Sequence, residues 1–118
     1  MNVCSLFYSA PALYLVDARA LSDSEIDIWW RIDSSRYGIL QPYLLECKDE
    51  HGTAIDPVHI DNTSTSVVVE HLMPNTEYRC IFTASTYPAV GEDPDECRVI
   101  WKLKPIRTLP YNRKGCSE

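Results

Sequence analysis

Apolar residues recur at every second position through much of this 118-residue chain. The clearest stretch sets Ile26, Ile28, Trp30 and Ile32 on one side and Asp27, Trp29, Arg31 and Asp33 on the other. A period of two marks a half-buried strand, because successive side chains leave opposite faces of the pleat. The same pattern, bounded by polar, Gly and Pro residues, predicts strands over 12–18, 26–33, 42–48, 55–60, 66–70, 77–85 and 97–108. Their inward residues are predicted to include Tyr43, Leu45 and Cys47, then Val67, Val69 and Leu72, then Cys80, Phe82 and Ala84, and last Val99, Trp101 and Leu103. Helix signals are almost absent. Pro57 places the fourth strand at an edge, since proline cannot donate to a ladder. Pro105 predicts a bulge or break in the last strand.

The most specific stretch is Leu72-Met73-Pro74-Asn75-Thr76-Glu77-Tyr78, between the fifth and sixth strands. Two short strands joined by a Pro-containing turn, with a Tyr just beyond it, have the form of a tyrosine corner. There a buried phenol bonds backbone a few residues upstream. The spacing Leu-x-Pro-x-Thr-x-Tyr, followed by Cys80, Phe82 and Ala84, resembles a fibronectin type III domain. The inward Trp30 of the second strand and the ending Arg107-Thr108-Leu109-Pro110 extend the resemblance over residues 11–110. It implies an all-β fold: an antiparallel, two-sheet, immunoglobulin-like β-sandwich of about seven strands. Trp30, Leu72, Pro74, Tyr78, Phe82 and Trp101 are its expected structural residues. Residues 1–10 read as an N-terminal arm and 111–118 as a flexible tail or linker stub. The chain departs from the family pattern in its long loop before the last strand, its extra cysteines and its four glycines.

Length agrees with one compact core. A net charge of −6 argues against nucleic acid or an anionic membrane surface as the partner. No run approaches the roughly 20 apolar residues a membrane span needs, so insertion by this segment is not expected. Residues 1–20 end in Ala18-Arg19-Ala20 but have no basic residue before a short, interrupted apolar stretch. They read as an arm and a first strand rather than a secretory leader. Nucleophile, phosphate-loop, dinucleotide and zinc-protease motifs are missing, so no enzyme and no cofactor is expected. Asp27 and Asp33 lie six residues apart on one strand, on the order of 20 Å, too far for paired carboxylate chemistry.

Five cysteines are an odd number. The resemblance places Cys4 and Cys97 near one pole, as a candidate disulfide. It places Cys47 and Cys80 on neighbouring strands as core neighbours, a less favoured second bridge because disulfide geometry between adjacent strands is demanding, and Cys116 in the tail. The alternative keeps all five reduced, since free cysteine is commonly buried. His51, His59 and His71 have no metal-site spacing and read as solvated or structural. Asn62-Thr63-Ser64 is a sequon, making Asn62 a candidate glycosylation site.

Two surfaces are candidates for a protein partner. One is the pair of apical loops, 34–40 and 88–96; the second carries Glu92 and Asp93, and its acidic charge would make association slow as salt rises. The other is the outward face carrying Leu44, Ile81 and Ile100, expected to bind with little dependence on salt. Trp29, also outward, is expected to pack under the edge of the first strand, the loop that follows it or the terminal arm. The resemblance implies a non-enzymatic interaction or spacer module of an extracellular or receptor-like protein. Its neighbours in the same chain could then cover part of it. The second reading is an intracellular fibronectin type III scaffold, located in the cytoplasm beside a separate functional domain.

Overall fold

The computed structural model describes residues 12–33, 40–87, 91 and 97–111. Among them are eight strands and no helix: β1 (Ala12–Ala20), β2 (Ile26–Asp33), β3 (Tyr43–Asp49), β4 (Val58–Ile60), β5 (Ser66–Val69), β6 (Glu77–Ser85), β7 (Arg98–Lys102) and β8 (Ile106–Arg107). One sheet has the order β1-β2-β5 and the other β4-β3-β6-β7, with β8 also pairing to β6. Every pairing is antiparallel.

The strands form where alternation and β-branched content coincide, and they stop at identifiable breakers. The strand expected over 97–108 is split. Pro105 interrupts it, β7 ends at Lys102, and the chain returns to β6 as the short β8 opposite Glu77 and Tyr78. That split is why there are eight strands rather than seven. The strand expected over 55–60 shortens to β4. Pro57 has no N–H to give, yet Ile55 N–H still donates to the Cys47 carbonyl at 2.9 Å. In the turn between β3 and β4, Asp49 Oδ1 accepts from the N–H groups of His51 and Thr53. Gly52 there has φ 84°, a left-handed conformation glycine adopts without steric cost.

The core lies between the sheets. Ile26, Ile28, Trp30, Tyr43, Leu45, Val69, Leu72, Tyr78, Phe82 and Ala84 are buried in one cluster. Val67, Val99 and Trp101 pack against it half-buried. Trp30 meets Tyr43 edge-on with ring centroids 5.3 Å apart and Phe82 at 4.6 Å. Such aromatic contacts add to the hydrophobic gain from burial. Trp30 Nε1 is buried without a hydrogen-bond partner among the described residues.

The turn before β6 is held from both sides. Met73 N–H donates to the Tyr78 hydroxyl at 2.8 Å, and Tyr78 is buried. The Thr108 hydroxyl donates to the Met73 carbonyl at 2.6 Å and accepts from Thr76 N–H at 3.0 Å. The backbone of Met73 is therefore clamped by a phenol at its N–H and a threonine at its carbonyl. Asn75 follows Pro74 at φ 49°, a conformation Asn tolerates better than most residues.

Candidate functional site

The outer face of the β4-β3-β6-β7 sheet is the surface with the clearest means of holding a partner. Strand alternation puts Leu44, Glu46 and Lys48 of β3 on it, with Arg79, Ile81 and Thr83 of β6 and Arg98, Ile100 and Lys102 of β7. Register then sets their rows. Leu44 lies opposite Thr83, which lies opposite Ile100. Glu46 lies opposite Ile81, which lies opposite Lys102. Lys48 lies opposite Arg79. Ile81 thus sits diagonal to both Leu44 and Ile100, within reach of long side chains. Leu44 and Ile81 are half-buried, while Ile100 is 54% exposed.

At the lower end of the face a cavity of about 550 Å³ is lined by Ile55, Pro57, Ile81, Leu103 and Pro105 under the charged ends of Lys48, Arg79 and Lys102. A second, of about 600 Å³, opens over Leu44, Thr83, Ile100 and Arg98. Glu46, Ile81 and Lys102 line both, so the two form one trough along the sheet.

Beyond the trough, at the far end of β6, Glu50 ties three segments together. It accepts the Glu77 N–H at 2.9 Å and stands 3.3 Å from Arg107 Nη2. The Glu77 N–H bond chiefly holds its carboxyl below the ordinary value of 4.5, helped by Arg107 and His51 and opposed by partial desolvation.

Cys47 and Cys80 are joined by a disulfide, with Cα atoms 4.0 Å apart. They face each other across β3 and β6. The Cys47 carbonyl accepts from Ile55 N–H and the Cys80 carbonyl from Leu103 N–H, so each backbone points away from the other. That makes them a non-hydrogen-bonded pair, the closer kind in an antiparallel ladder. Cys97 is buried and also disulfide-bonded. With Cys47 and Cys80 joined to each other, the cysteines left to it are Cys4 and Cys116, which lie outside the described residues.

Glu92 and Asp93, and the loop 34–39, also lie outside the described residues. Asn62 follows β4 half-buried, and its side-chain nitrogen donates to the Leu40 carbonyl at 2.7 Å. The atom that would carry a glycan is thus engaged in joining two loops. Trp29 is half-buried on the opposite sheet, with the Arg19 guanidinium 5.9 Å from its ring centre. All three histidines are exposed; His51 and His71 stand beside Glu50 and Glu70. Among the described residues no group of three His, Cys, Asp or Glu side chains is placed to hold a metal ion, and no helix is long and apolar enough to cross a membrane.

The like-charge pair Lys48–Arg79 and the trough itself escape sequence reading. Both depend on the alignment of β3 against β6, which alternation alone leaves open.

Comparison with known proteins bears on family and fold. The sequence model of the fibronectin type III domain matches residues 9–96. No curated protein matches the chain in sequence. Among solved structures, the fn3 domain of human collagen alpha-1(XX) chain is similar at TM-score 0.65 and 16% identity, covering 91% of this chain and 90% of that one. The fn3 domain of human contactin 1 is similar at TM-score 0.59 and 21% identity, covering 97% and 92%. The FN1-FN3 domains of chicken CNTN1 are similar at TM-score 0.55 and 21% identity, covering 82% of this chain and 31% of that one.

Proposed function

This chain belongs to the fibronectin type III family, and on that premise we propose that it is a non-catalytic protein-interaction module of an extracellular, receptor-like modular protein. The observation that carries the interaction role is the outward apolar group of Leu44, Ile81 and Ile100, set in a trough and ringed by charge. Exposed aliphatic surface on a stable sheet gains about 25 cal/mol per Å² when a partner covers it. Patches of this kind mark protein interfaces. The acidic loop with Glu92 and Asp93 is the second proposed contact, since loops at the end of a sandwich vary without disturbing it.

The compartment rests on the cysteines. The Cys47–Cys80 bridge and a bonded Cys97 suit an oxidising environment. We assign Cys4 as the partner of Cys97, which leaves Cys116 free in the tail. The folded body is proposed to span 11–110, with 1–10 and 111–118 as connections to neighbouring modules. The contactin structure with consecutive domains supports an arrangement of modules in series.

The test is binding to intact cells. Wild-type domain secreted from a eukaryotic host should bind. Ile81→Asp should lose binding if the sheet face carries the contact, and Glu92→Lys with Asp93→Lys should lose it if the loop does. Undiminished binding in both would reject both surfaces. Thiol titration of the same material should find one free cysteine, since two bridges take four of the five. Five free thiols would instead support a cytoplasmic scaffold.

A further inference from the structure

We propose that the trough on the β4-β3-β6-β7 sheet binds an extended acidic segment of a partner protein, in which carboxylates alternate with aliphatic side chains. This rests on reading that face as the interaction surface and names the chemistry of what it takes.

Charge is the first argument. The trough is lined by four cations, Lys48, Arg79, Arg98 and Lys102, and by one carboxylate, Glu46. All five are exposed. The chain as a whole carries −6, so the positive charge is gathered here against the general balance. Arg79 has a partner in Glu77 at 3.2 Å. Lys48 and Lys102 have no carboxylate within ion-pair distance among the described residues. Lys48 also stands directly opposite Arg79, a like-charge pairing that disfavours the sheet and that Glu77 relieves on the Arg79 side alone.

Spacing is the second argument. Along β7 the outward residues read Arg98, Ile100, Lys102. Neighbours on one face of a strand are about 6.8 Å apart. An extended peptide lying beside them has the same repeat. It can place an aliphatic group over Ile100, Ile81 and Leu44, a carboxylate at Lys102 on one side, and a second on the other side toward Arg98, which already has an interaction of its own. The complementary pattern is acidic-x-aliphatic-x-acidic. Past Lys102 the floor turns apolar again at Ile55, Pro57, Leu103 and Pro105, so the pattern can continue toward Lys48 and Arg79.

The floor decides against a sulfated polysaccharide. A sugar polymer would satisfy the cations but leave Leu44, Ile81 and Ile100 without apolar groups to cover them. It decides against single-stranded nucleic acid as well, which needs aromatic platforms for its bases.

The probe is a fluorescent peptide repeating Glu-Ser-Ile-Ser, titrated by anisotropy against the intact chain. Binding should weaken roughly tenfold or more between low and physiological salt, which corrects the salt indifference expected of Leu44, Ile81 and Ile100 alone, because the strand register gathers cations around them. Lys102→Glu and Lys48→Glu, both at exposed positions, should each weaken it about tenfold. Glu46→Gln removes the one opposing charge and should tighten it. Melting curves confirm that each variant stays folded. Lys-Ser-Ile-Ser and Glu-Ser-Gly-Ser peptides should bind at least about tenfold more weakly.

Equal binding of the Gly peptide, or competition by heparin with unchanged affinity for the Ile and Gly peptides, would make the trough a general polyanion site and overturn the proposal. So would absence of binding, or self-association through this face in sedimentation. If the peptide fails while Ile81→Asp still abolishes cell binding, the face remains the interface and only its chemistry is misassigned. If the peptide binds while Ile81→Asp leaves cell binding intact, the earlier reading alone falls.

Discussion

At the scale of single residues, three side chains decide how the turn and the core hold. Tyr78 supplies an acceptor to Met73 N–H, but Met73 itself is largely exposed, so water can replace the lost bond. Tyr78→Phe should therefore cost about 1 kcal/mol. Thr108 is different: it is buried, and its hydroxyl serves Thr76 N–H and the Met73 carbonyl at once. Thr108→Val keeps the shape but strands the buried Thr76 N–H, while water can reach the Met73 carbonyl, so it should cost about 2 kcal/mol, more than the tyrosine change. Urea unfolding of both variants would check the order, and a Tyr78→Phe loss exceeding that of Thr108→Val would refute it. The tyrosine was legible from sequence because its motif is contiguous. The threonine was not, since its partners lie 32 and 35 residues away. Trp30 gives a second contrast. Trp30→Ala should cost about 3–5 kcal/mol through lost contacts and a cavity. Trp30→Phe should be milder by at least about 2 kcal/mol, because it keeps the ring packing against Tyr43 and Phe82 and removes the unpartnered Nε1–H. Similar melting of the two variants would show that ring packing is not what Trp30 contributes.

At the scale of elements, alternation located β2 and β6 at their observed bounds because each has one buried face, and a slip by one residue would turn that face to solvent. It overran β4, where a proline stopped a ladder that the apolar pattern continued, whereas the break between β7 and β8 was legible from Pro105. It also could not say how strands align. The row of Glu46, Ile81 and Lys102, and the opposition of Lys48 to Arg79, follow from registers set by loops rather than by any local signal. The end of β6 is fixed in the same nonlocal way, by Glu50 bonding the first N–H of the strand and Arg107 of β8. Because the folded structure lowers the Glu50 carboxyl below 4.5, its contribution to stability is present above that value and is lost as pH falls through the lower, folded value. Melting temperatures followed from neutrality to about pH 3 should show Glu50→Gln less stable than wild type at neutral pH and converging with it in acid. A gap that stays constant across the range would remove this carboxylate from the acid limb.

At the scale of the whole molecule, the sandwich joins two sheets with few covalent constraints, and the Cys47–Cys80 bridge is the one with both ends described. It lies within a single sheet, linking β3 and β6, and so does not hold the two layers together. What it does is close a loop of 33 residues that contains the turn after β3, β4, β5 and the tyrosine corner. In the chain-entropy account, closing a loop of that length restricts the unfolded chain by about 3–4 kcal/mol. A domain of this size has only about 5–15 kcal/mol in reserve. The alternation placed both cysteines inward, where the bridge is shielded by Ile55, Leu72 and Tyr78. Replacing both with Ala keeps that apolar site filled in part, so the loss measured is chiefly the lost constraint. Cys47→Ala with Cys80→Ala should thus fold to the same sandwich, lose about 3–4 kcal/mol in denaturant unfolding, and unfold at lower denaturant with a steeper dependence, because its unfolded chain is more extended. A double variant within about 1 kcal/mol of wild type would show that strand pairing already restrains this loop in the unfolded ensemble.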